Sequence, residues 1–384
     1  MRTAFHLTFK EIWINRGRFL LFSLVVALIA VLILFVAALG EGLGSGNREY
    51  IEKLDAQLIV FQDAARLSIA SSRIDYAKQR SIRNVEGVRD AGPIGFSSAA
   101  LILEETEPLD VSLIGVEPGK PGEPPTVEGR GLRRRNTDEA IIDRTVALVA
   151  GLGVGDTFTI RTLQGDEDEF YTLTVAGISD SRKYGIRPSI LTPMITWDRI
   201  RAKATPGTGQ EAPPANVVAV QLDDPAQIEA MRQRLLSRVD AIDAVDLKTA
   251  YENAPGYVEQ QSTLNTQNAF ALLIGVLVIG GFFQIQTLQK VPQIGMLKAI
   301  GTPNSIVAVS AMLQIVAVTF TGVIIGGLAA AGLSLVFPPN IPIVFEPGSG
   351  AIAVGSILLM GPIGGLVSIR QSLRVEPLIA LGLG

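Results

Sequence analysis

The stretch "QKVPQIGMLKAIGTPNSIV", Gln289–Val307, decides how this chain is arranged, because it lies between two long apolar segments. It carries two lysines, two prolines and two glycines. Pro292 suits the first turn of a helix, and Gly301 suits its end. The apolar residues recur at near-helical spacing: Ile294, Met296, Leu297 and Ile300. The pattern predicts a short amphipathic helix over 289–304, whose apolar face could dock a partner or rest on lipid.

The composition of the whole chain favours a membrane protein with one large water-exposed region. Of its 384 residues, 48% are hydrophobic and 18% are charged, too apolar for an ordinary soluble domain and too charged for membrane spans alone. A net charge of −4 gives no indication of nucleic-acid binding. The chain has no cysteine and one histidine, His6. We therefore expect no disulfide, no metal site and no cofactor of its own.

Four apolar segments are long enough to cross a bilayer, which takes roughly 20 residues. The predicted transmembrane helices cover residues 19–42, 267–288, 305–337 and 350–369. The sequence "VAALG" at the end of the first segment resembles a signal-peptide cleavage site. The apolar run before it exceeds the roughly 7–15 residues of a signal peptide, which favours a retained anchor. The remaining regions are an interfacial helix at 1–18, an extracytoplasmic domain at 43–266, a link at 338–349 and a tail at 370–384.

Basic residues predict the orientation of these spans, because lysine and arginine concentrate on the cytoplasmic side. They occur before the first span, between the second and third, and after the fourth, while the link at 338–349 has none. Both termini are therefore expected in the cytoplasm of a multi-pass cell-membrane protein. His6 lies in the amphipathic N-terminal segment and is expected to be an interfacial residue.

The region between the first two spans shows an α+β pattern. Segments rich in Val, Ile and Thr predict strands at 56–61, 99–105, 110–116, 157–163, 171–178 and 217–222. Pro225–Val239 has helical periodicity, with Asp223 or Asp224 as a cap. Residues 251–267 are either a helical stalk that continues the second span outward or a plain linker.

The stretch "QIGMLKAIGTPNSIV" resembles the "EIGILRAIG" segment of MacB/FtsX-type (type VII) ABC transporter permeases. Gln293 stands where the family has glutamate. "RVEPLIALG", 374–382, resembles the family's "xxPxxALR" ending, and "EAIIDRTVALVAGLGVGDTFTI" resembles a phrase of the family ectodomain. The resemblance implies four transmembrane helices, with a large α+β domain of two pieces between the first two and an inserted piece at about 117–205.

The resemblance also implies partners. A separate ABC ATPase subunit, which holds ATP and Mg, would dock on the coupling residues, and two permeases would form a homodimer in contact with membrane lipids. The implied coupling residues are Gln293, Ile294, Gly295, Met296, Leu297, Lys298, Ala299, Ile300 and Gly301. The chain itself is expected to be no enzyme. "GVEPGKPG", Gly115–Gly122, has the wrong spacing for a phosphate loop, and a proline follows its Lys120.

Small residues predict where the membrane helices meet. Gly322 and Gly326 form one G-x-x-x-G pattern, and Gly361 and Gly365 form another. Such pairs let two helices approach closely, although each could also face lipid.

The substrate is suggested by a second resemblance. Lys10–Ile74 is similar to the start of the haem-efflux permeases of Gram-positive bacteria, through "ALGEGLG" and "LDAQLIVF". Export of haem or another amphipathic compound is the leading interpretation. Handling of peptides, antibiotics or lipoproteins, signalling without transport, and a membrane-anchored sensor are the alternatives. Without cysteine or an external histidine, Glu41 and Tyr50 are the candidate substrate-binding residues, ahead of Met312; Glu41 could also be an ordinary interfacial acid.

Overall fold

The computed structural model describes residues 8–10, 12–103, 107–203, 213–255, 257–337 and 343–374. His6 and the "RVEPLIALG" ending beyond Arg374 lie outside the described residues. The chain forms two compact units. One consists of Met1–Leu43 with Gln261–Gly384, and the other is Gly44–Gln260.

The helices, in chain order, are α1 Arg16–Glu52, α2 Tyr76–Arg83, α3 Arg144–Ala150, α4 Met194–Ile200, α5 Ile228–Arg238, α6 Leu247–Glu252, α7 Tyr257–Ala299, α8 Asn304–Ser334 and α9 Pro347–Arg374. The strands are β1 Leu58–Gln62, β2 Val88–Leu101, β3 Leu109–Val116, β4 Thr126–Gly129, β5 Glu139–Asp143, β6 Thr157–Gln164, β7 Glu167–Ser179, β8 Ser189–Pro193, β9 Val217–Leu222 and β10 Ile242–Asp246.

Within the described residues, four helices are long and apolar enough to cross a membrane, namely α1, α7, α8 and α9. They extend beyond the predicted apolar spans, because hydropathy marks only the apolar part of a helix. The 37-residue α1 continues past the last apolar residues to Glu52, and the 43-residue α7 begins at Tyr257. The predicted architecture of four membrane helices with an α/β domain between the first two is confirmed.

The second unit is built on one ten-stranded sheet in the order β10-β1-β9-β2-β3-β8-β5-β7-β4, with β6 paired to β2 and β7. The pairs β3–β8 and β5–β7 are parallel, and the other pairs are antiparallel. Strands β4 to β8 fall in the region expected as an inserted piece, and they continue the same sheet through the β3–β8 pair. The two ends of the sheet have their own apolar cores, one around Phe158 and Trp197 and the other around Leu58 and Leu235.

One predicted helix boundary is wrong. Helix α5 begins at Ile228, not at Pro225. The preceding residues form a turn in which the Asp224 carboxylate accepts a hydrogen bond from the Ala226 amide at 3.0 Å. An aspartate side chain that bonds the backbone two residues later favours a turn over a helix start, so Pro225 belongs to the turn.

The predicted small-residue pairs lie at contacts between membrane helices. A methyl group added at Gly322 would lie 2.6 Å from Val26 Cβ, and one at Gly326 would lie 2.7 Å from the Ala27 oxygen, so α8 approaches α1 there. On α9, Gly361 faces Thr319 and Gly365 faces Ile315 of α8. Close approach of this kind is the main source of attraction between helices in lipid, where van der Waals packing replaces the hydrophobic effect.

A further glycine contact is absent from the sequence prediction. A methyl group on Gly280 of α7 would lie 2.8 Å from the Gly364 oxygen of α9, and one on Gly364 would lie 2.7 Å from the Val276 oxygen. Each helix supplies one glycine, so spacing within a single helix does not reveal the pair. The backbones of α7 and α9 therefore touch where no larger residue fits.

The bundle offers a matched test of this packing. Gly326→Ala should destabilise the purified protein by about 1–3 kcal/mol, because the new methyl group overlaps α1. The control Gly327→Ala has no heavy atom within 4 Å of its new methyl group. It should be neutral or raise stability by up to about 1 kcal/mol through helix propensity. Thermal unfolding in detergent measures both; equal loss in the two variants would contradict the packing.

Candidate functional site

The connection between α7 and α8 ends the first helix with a defined cap. Gly301 has a φ of +92°, which glycine adopts without strain. Its amide donates to the Lys298 oxygen, and the Thr302 amide donates to the Leu297 oxygen, both at 3.0 Å. This pair of bonds is the Schellman arrangement, which satisfies carbonyls at a helix end. The cap fixes where α7 stops and where the coupling residues lie.

The prediction of a separate short helix that starts at Pro292 is wrong. Pro292 lies inside α7, which runs unbroken from Tyr257 to Ala299. Sequence reasoning places proline at a helix start because it lacks an amide donor. In helices that cross membranes an interior proline is tolerated, because neighbouring groups satisfy the freed carbonyl. The coupling residues are therefore the last turns of a long membrane helix.

These residues divide between two sides of α7. Ile294 and Gly295 are buried, and Leu297 and Lys298 are half-buried. The exposed side is formed by Gln293, Met296, Ala299 and Ile300, and we call it the coupling face. Met296 is 59% exposed and Ile300 is 74% exposed. The predicted apolar stripe is thus split, because Ile294 and Leu297 turn towards the bundle while Met296 and Ile300 turn away from it.

Polar contacts hold this end of α7 against α9. The Lys298 ammonium donates to the Leu373 oxygen at 2.7 Å. The Thr287 and Ser368 hydroxyls are hydrogen-bonded to each other, and Ser368 also donates to the Phe283 oxygen at 2.9 Å. Hydrogen bonds between membrane helices contribute about 0.6–2 kcal/mol each. The inner side of the coupling segment is therefore held by α9, which leaves the coupling face open.

Glu41, the first candidate substrate residue, lies within α1. The sequence suggested a flexible turn at Gly40, Gly42, Gly44 and Gly46, but α1 is helical through all four glycines. The Glu41 side chain is half-exposed and has an interaction partner within the chain. Beside it, a methyl group on Gly40 would lie 3.3 Å from Leu264 Cδ1 of α7. Glu41 is thus a helical residue next to a close contact between α1 and α7.

Tyr50, the second candidate, is a core residue of the α/β unit. Its side chain is fully buried, and its hydroxyl donates to the Gly122 oxygen at 2.7 Å. The ring packs edge-on against Phe96 at 5.6 Å. Burial raises the pKa of the Tyr50 hydroxyl, which disfavours the phenolate that would bind iron. Sequence depth alone placed Tyr50 near the membrane surface, because it could not show that α1 continues into the α/β core.

The end of α1 is clamped by a tight hairpin at 183–187. The Ile186 amide donates to the Gly46 oxygen, and the Tyr50 amide donates to the Lys183 oxygen, both at 3.1 Å. Gly185 and Ile186 have φ values of +60° and +67°, as in a two-residue turn of type I′. A β-branched residue rarely takes this conformation. The hairpin therefore holds a strained residue against the helix, which indicates that the contact is selected by the fold.

A substitution at Gly46 tests the clamp. A methyl group there would lie 3.1 Å from Ile186 Cα, so Gly46→Leu should displace the hairpin and speed amide exchange at 183–187. Gly44→Leu is the control, since no heavy atom lies within 4 Å of its new methyl group. Hydrogen–deuterium exchange measures both. Equal protection of the hairpin in the two variants would show that the clamp is not needed to order it.

Comparison with known proteins assigns the family. Residues 19–238 match the family described as MacB-like periplasmic core domain, and residues 267–377 match the FtsX-like permease C-terminal family. The chain therefore belongs to the MacB/FtsX-type family of ABC transporter permeases. The resemblance found in the coupling segment and the ectodomain is confirmed.

Several relatives carry names that bear on function. The hemin transport system permease protein HrtB of Staphylococcus haemolyticus is 24% identical over 377 residues, which are 98% of this chain and 99% of that protein. HrtB of Staphylococcus epidermidis is 22% identical over 379 residues, 99% of each protein. The macrolide export ATP-binding/permease protein MacB of Agrobacterium fabrum is 24% identical over 170 residues, 41% of this chain and 26% of that protein.

Among solved structures, the periplasmic region of MacB from Actinobacillus actinomycetemcomitans is similar at 14% identity and a TM-score of 0.36, over 52% of this chain and 94% of that one. The extracellular domain of YknZ, an ABC-type transporter from Gram-positive bacteria, is similar at 13% identity and a TM-score of 0.36, over 50% of this chain and 98% of that one.

Proposed function

We propose that this permease couples ATP hydrolysis by a separate nucleotide-binding subunit to export of an amphipathic substrate, with haem as the leading candidate. The observation that carries the proposal is the continuity of α7, which bears the coupling face near Ala299 and begins at Tyr257, beside the α/β unit in the chain. Similarity to HrtB along nearly the whole chain supports haem as the substrate.

The ATPase subunit docks on the coupling face. Met296 and Ile300 present apolar surface, and Gln293 supplies an amide where the family has a glutamate. A bound subunit that moved during ATP hydrolysis would push on the end of α7. Because α7 packs on α9 through Gly280 and Gly364, the push would move packed helices together.

The α/β unit receives this motion through two helices. Helix α7 begins beside this unit in the chain, and α1 ends in it under the 183–187 hairpin. A tilt of either helix would therefore act on the extracytoplasmic domain mechanically. No chemistry on this chain is required, since ATP and Mg are held by the partner subunit.

The permease acts as a homodimer within the lipid. Four helices are few to enclose a substrate path. Helix α1 carries a row of exposed leucines that a second copy or lipid would cover: Leu20, Leu24, Leu28 and Leu32. A substrate that enters sideways from the outer leaflet would meet Glu41 near the outer end of α1.

A second function keeps the mechanics and changes the cargo. Similarity to a macrolide exporter over 170 residues favours handling of an antibiotic, peptide or lipoprotein, or signalling across the membrane without transport. In these cases the coupling face keeps its role and Glu41 has no haem ligand role.

A charge on the coupling face tests docking. Met296→Asp should weaken co-purification of the ATPase subunit roughly tenfold or more, because an unpaired carboxylate would be buried in the interface. The control is Leu335→Asp, which places the same charge at an 87% exposed leucine at the other end of α8. Unchanged ATPase recovery with Met296→Asp would remove the coupling face from the account.

A haem titration separates the two candidate ligands. Glu41→Gln should raise the Kd for haem of the purified permease roughly tenfold, because the carboxylate charge is lost. Tyr50→Phe should leave haem binding unchanged and lower thermal stability, because the buried Gly122 oxygen loses its donor. Identical haem spectra for wild type and Glu41→Gln would exclude Glu41 as a ligand. No spectral change with wild type would exclude haem.

Single cysteines test the orientation, since the natural chain has none. Ser349→Cys and Asp166→Cys should react with an impermeant thiol reagent on intact cells, because both positions are proposed to lie outside. Ser305→Cys, at the start of α8, should react only after the cells are opened. Labelling of Ser305→Cys in intact cells would reverse the proposed orientation and place the coupling face away from ATP.

A further inference from the structure

A cavity of about 360 Å³ opens at the end of the bundle where α7 ends and α8 begins. This volume falls within the roughly 300–1,000 Å³ of small-ligand sites. Residues from α7, α8, α9 and the N-terminal segment line it. Ile294 and Leu297, the inner side of the coupling segment, form part of its wall. The cavity therefore lies directly behind the coupling face.

The cavity carries positive charge. Lys10 and Lys290 line it, and no carboxylate occurs among its lining residues that the structure describes. The Lys290 ammonium is positioned by Gln314, to whose side-chain oxygen it donates at 3.1 Å. Two cations without an anion in the same cavity favour a negatively charged ligand.

The other lining groups suit an amphipathic molecule. Phe283, Ile306 and Ile315 give the cavity an apolar wall, while Thr287, Ser310 and Ser368 supply hydroxyls. A ligand with an anionic, hydrogen-bonding head and an apolar tail matches both. A small inorganic anion would leave the apolar wall in contact with water.

The N-terminal segment places the cavity at the level of lipid headgroups. Thr8 lies within hydrogen-bonding distance of Ser310, with the two hydroxyl oxygens 3.2 Å apart. Nearby, Phe9 and Trp13 are stacked and about 70% exposed. Exposed aromatic rings of this kind concentrate where a membrane meets water.

We propose that this cavity binds the headgroup of an anionic phospholipid, with its phosphate between Lys10 and Lys290 and its chains along the apolar wall. Basic pockets between membrane helices bind acidic lipid headgroups elsewhere. The bound lipid supports Ile294 and Leu297 from behind, and so holds the coupling segment in place. The inference does not depend on haem export.

Native mass spectrometry of the full-length permease tests the site, with phosphatidylglycerol and phosphatidylcholine as probes. Wild type should retain phosphatidylglycerol in preference to phosphatidylcholine. Lys290→Gln and Lys10→Gln should each weaken phosphatidylglycerol binding roughly five- to tenfold, while Lys290→Arg should preserve it. The matched control Arg370→Gln removes a positive charge that is exposed on α9 and outside the cavity, and should change nothing.

Three results would overturn the proposal. Equal retention of the two lipids by wild type would show no preference for an anionic headgroup. Equal loss in Lys290→Gln and Arg370→Gln would show attraction to the surface rather than to the cavity. Displacement of the lipid by inorganic phosphate or by hemin would assign the cavity to a free anion or to the transported substrate. Thermal unfolding of each variant separates loss of the site from loss of the fold.

Discussion

Contact between the backbones of α7 and α9 at Gly280 and Gly364 is the constraint on which the membrane unit depends. A single added methyl group at either residue would meet a main-chain oxygen of the other helix within 2.8 Å. The contact fixes the distance between the two helices, and polar contacts such as Thr287 with Ser368 then set their register. Because α7 is one helix from Tyr257 to Ala299, this contact also sets the position of the coupling face.

Helix α1 shows the opposite property. Its glycines at 40, 42, 44 and 46 each weaken a helix by about 1 kcal/mol relative to alanine, so intrinsic propensity does not explain its continuity. The helix is held there by neighbours, with Leu264 against Gly40 and Ile186 against Gly46. A helix that is ordered by its contacts changes when they change. The glycine-rich segment is therefore the place in α1 where movement of α7 or of the hairpin would be felt.

The sequence predicted what depends on local pattern. Apolar length located the four membrane helices, and β9 begins and ends at the predicted residues, 217 and 222. Strands β5, β8 and β10 were missed because each has only five residues, and two of them end in Pro or Asp. The burial of Tyr50, the continuity of α7 through Pro292 and the Gly280–Gly364 contact could not be predicted, because each depends on a partner distant in sequence. The coupling residues were located by family resemblance, but which of them face outward required the structure.

The central claim is that α7 transmits motion as one unbroken helix through Pro292. The absence of natural cysteine allows spin labels at Ser262→Cys and Ala299→Cys, near its two ends. At 1.5 Å per residue, a continuous helix places these positions about 55 Å apart. Double electron–electron resonance, on labelled permease diluted with unlabelled chains and bound to its ATPase subunit, should give one narrow distance near this value with and without ATP. A broad distribution, or a second and clearly shorter distance in the ATP state, would show that α7 bends at Pro292 and would contradict the account.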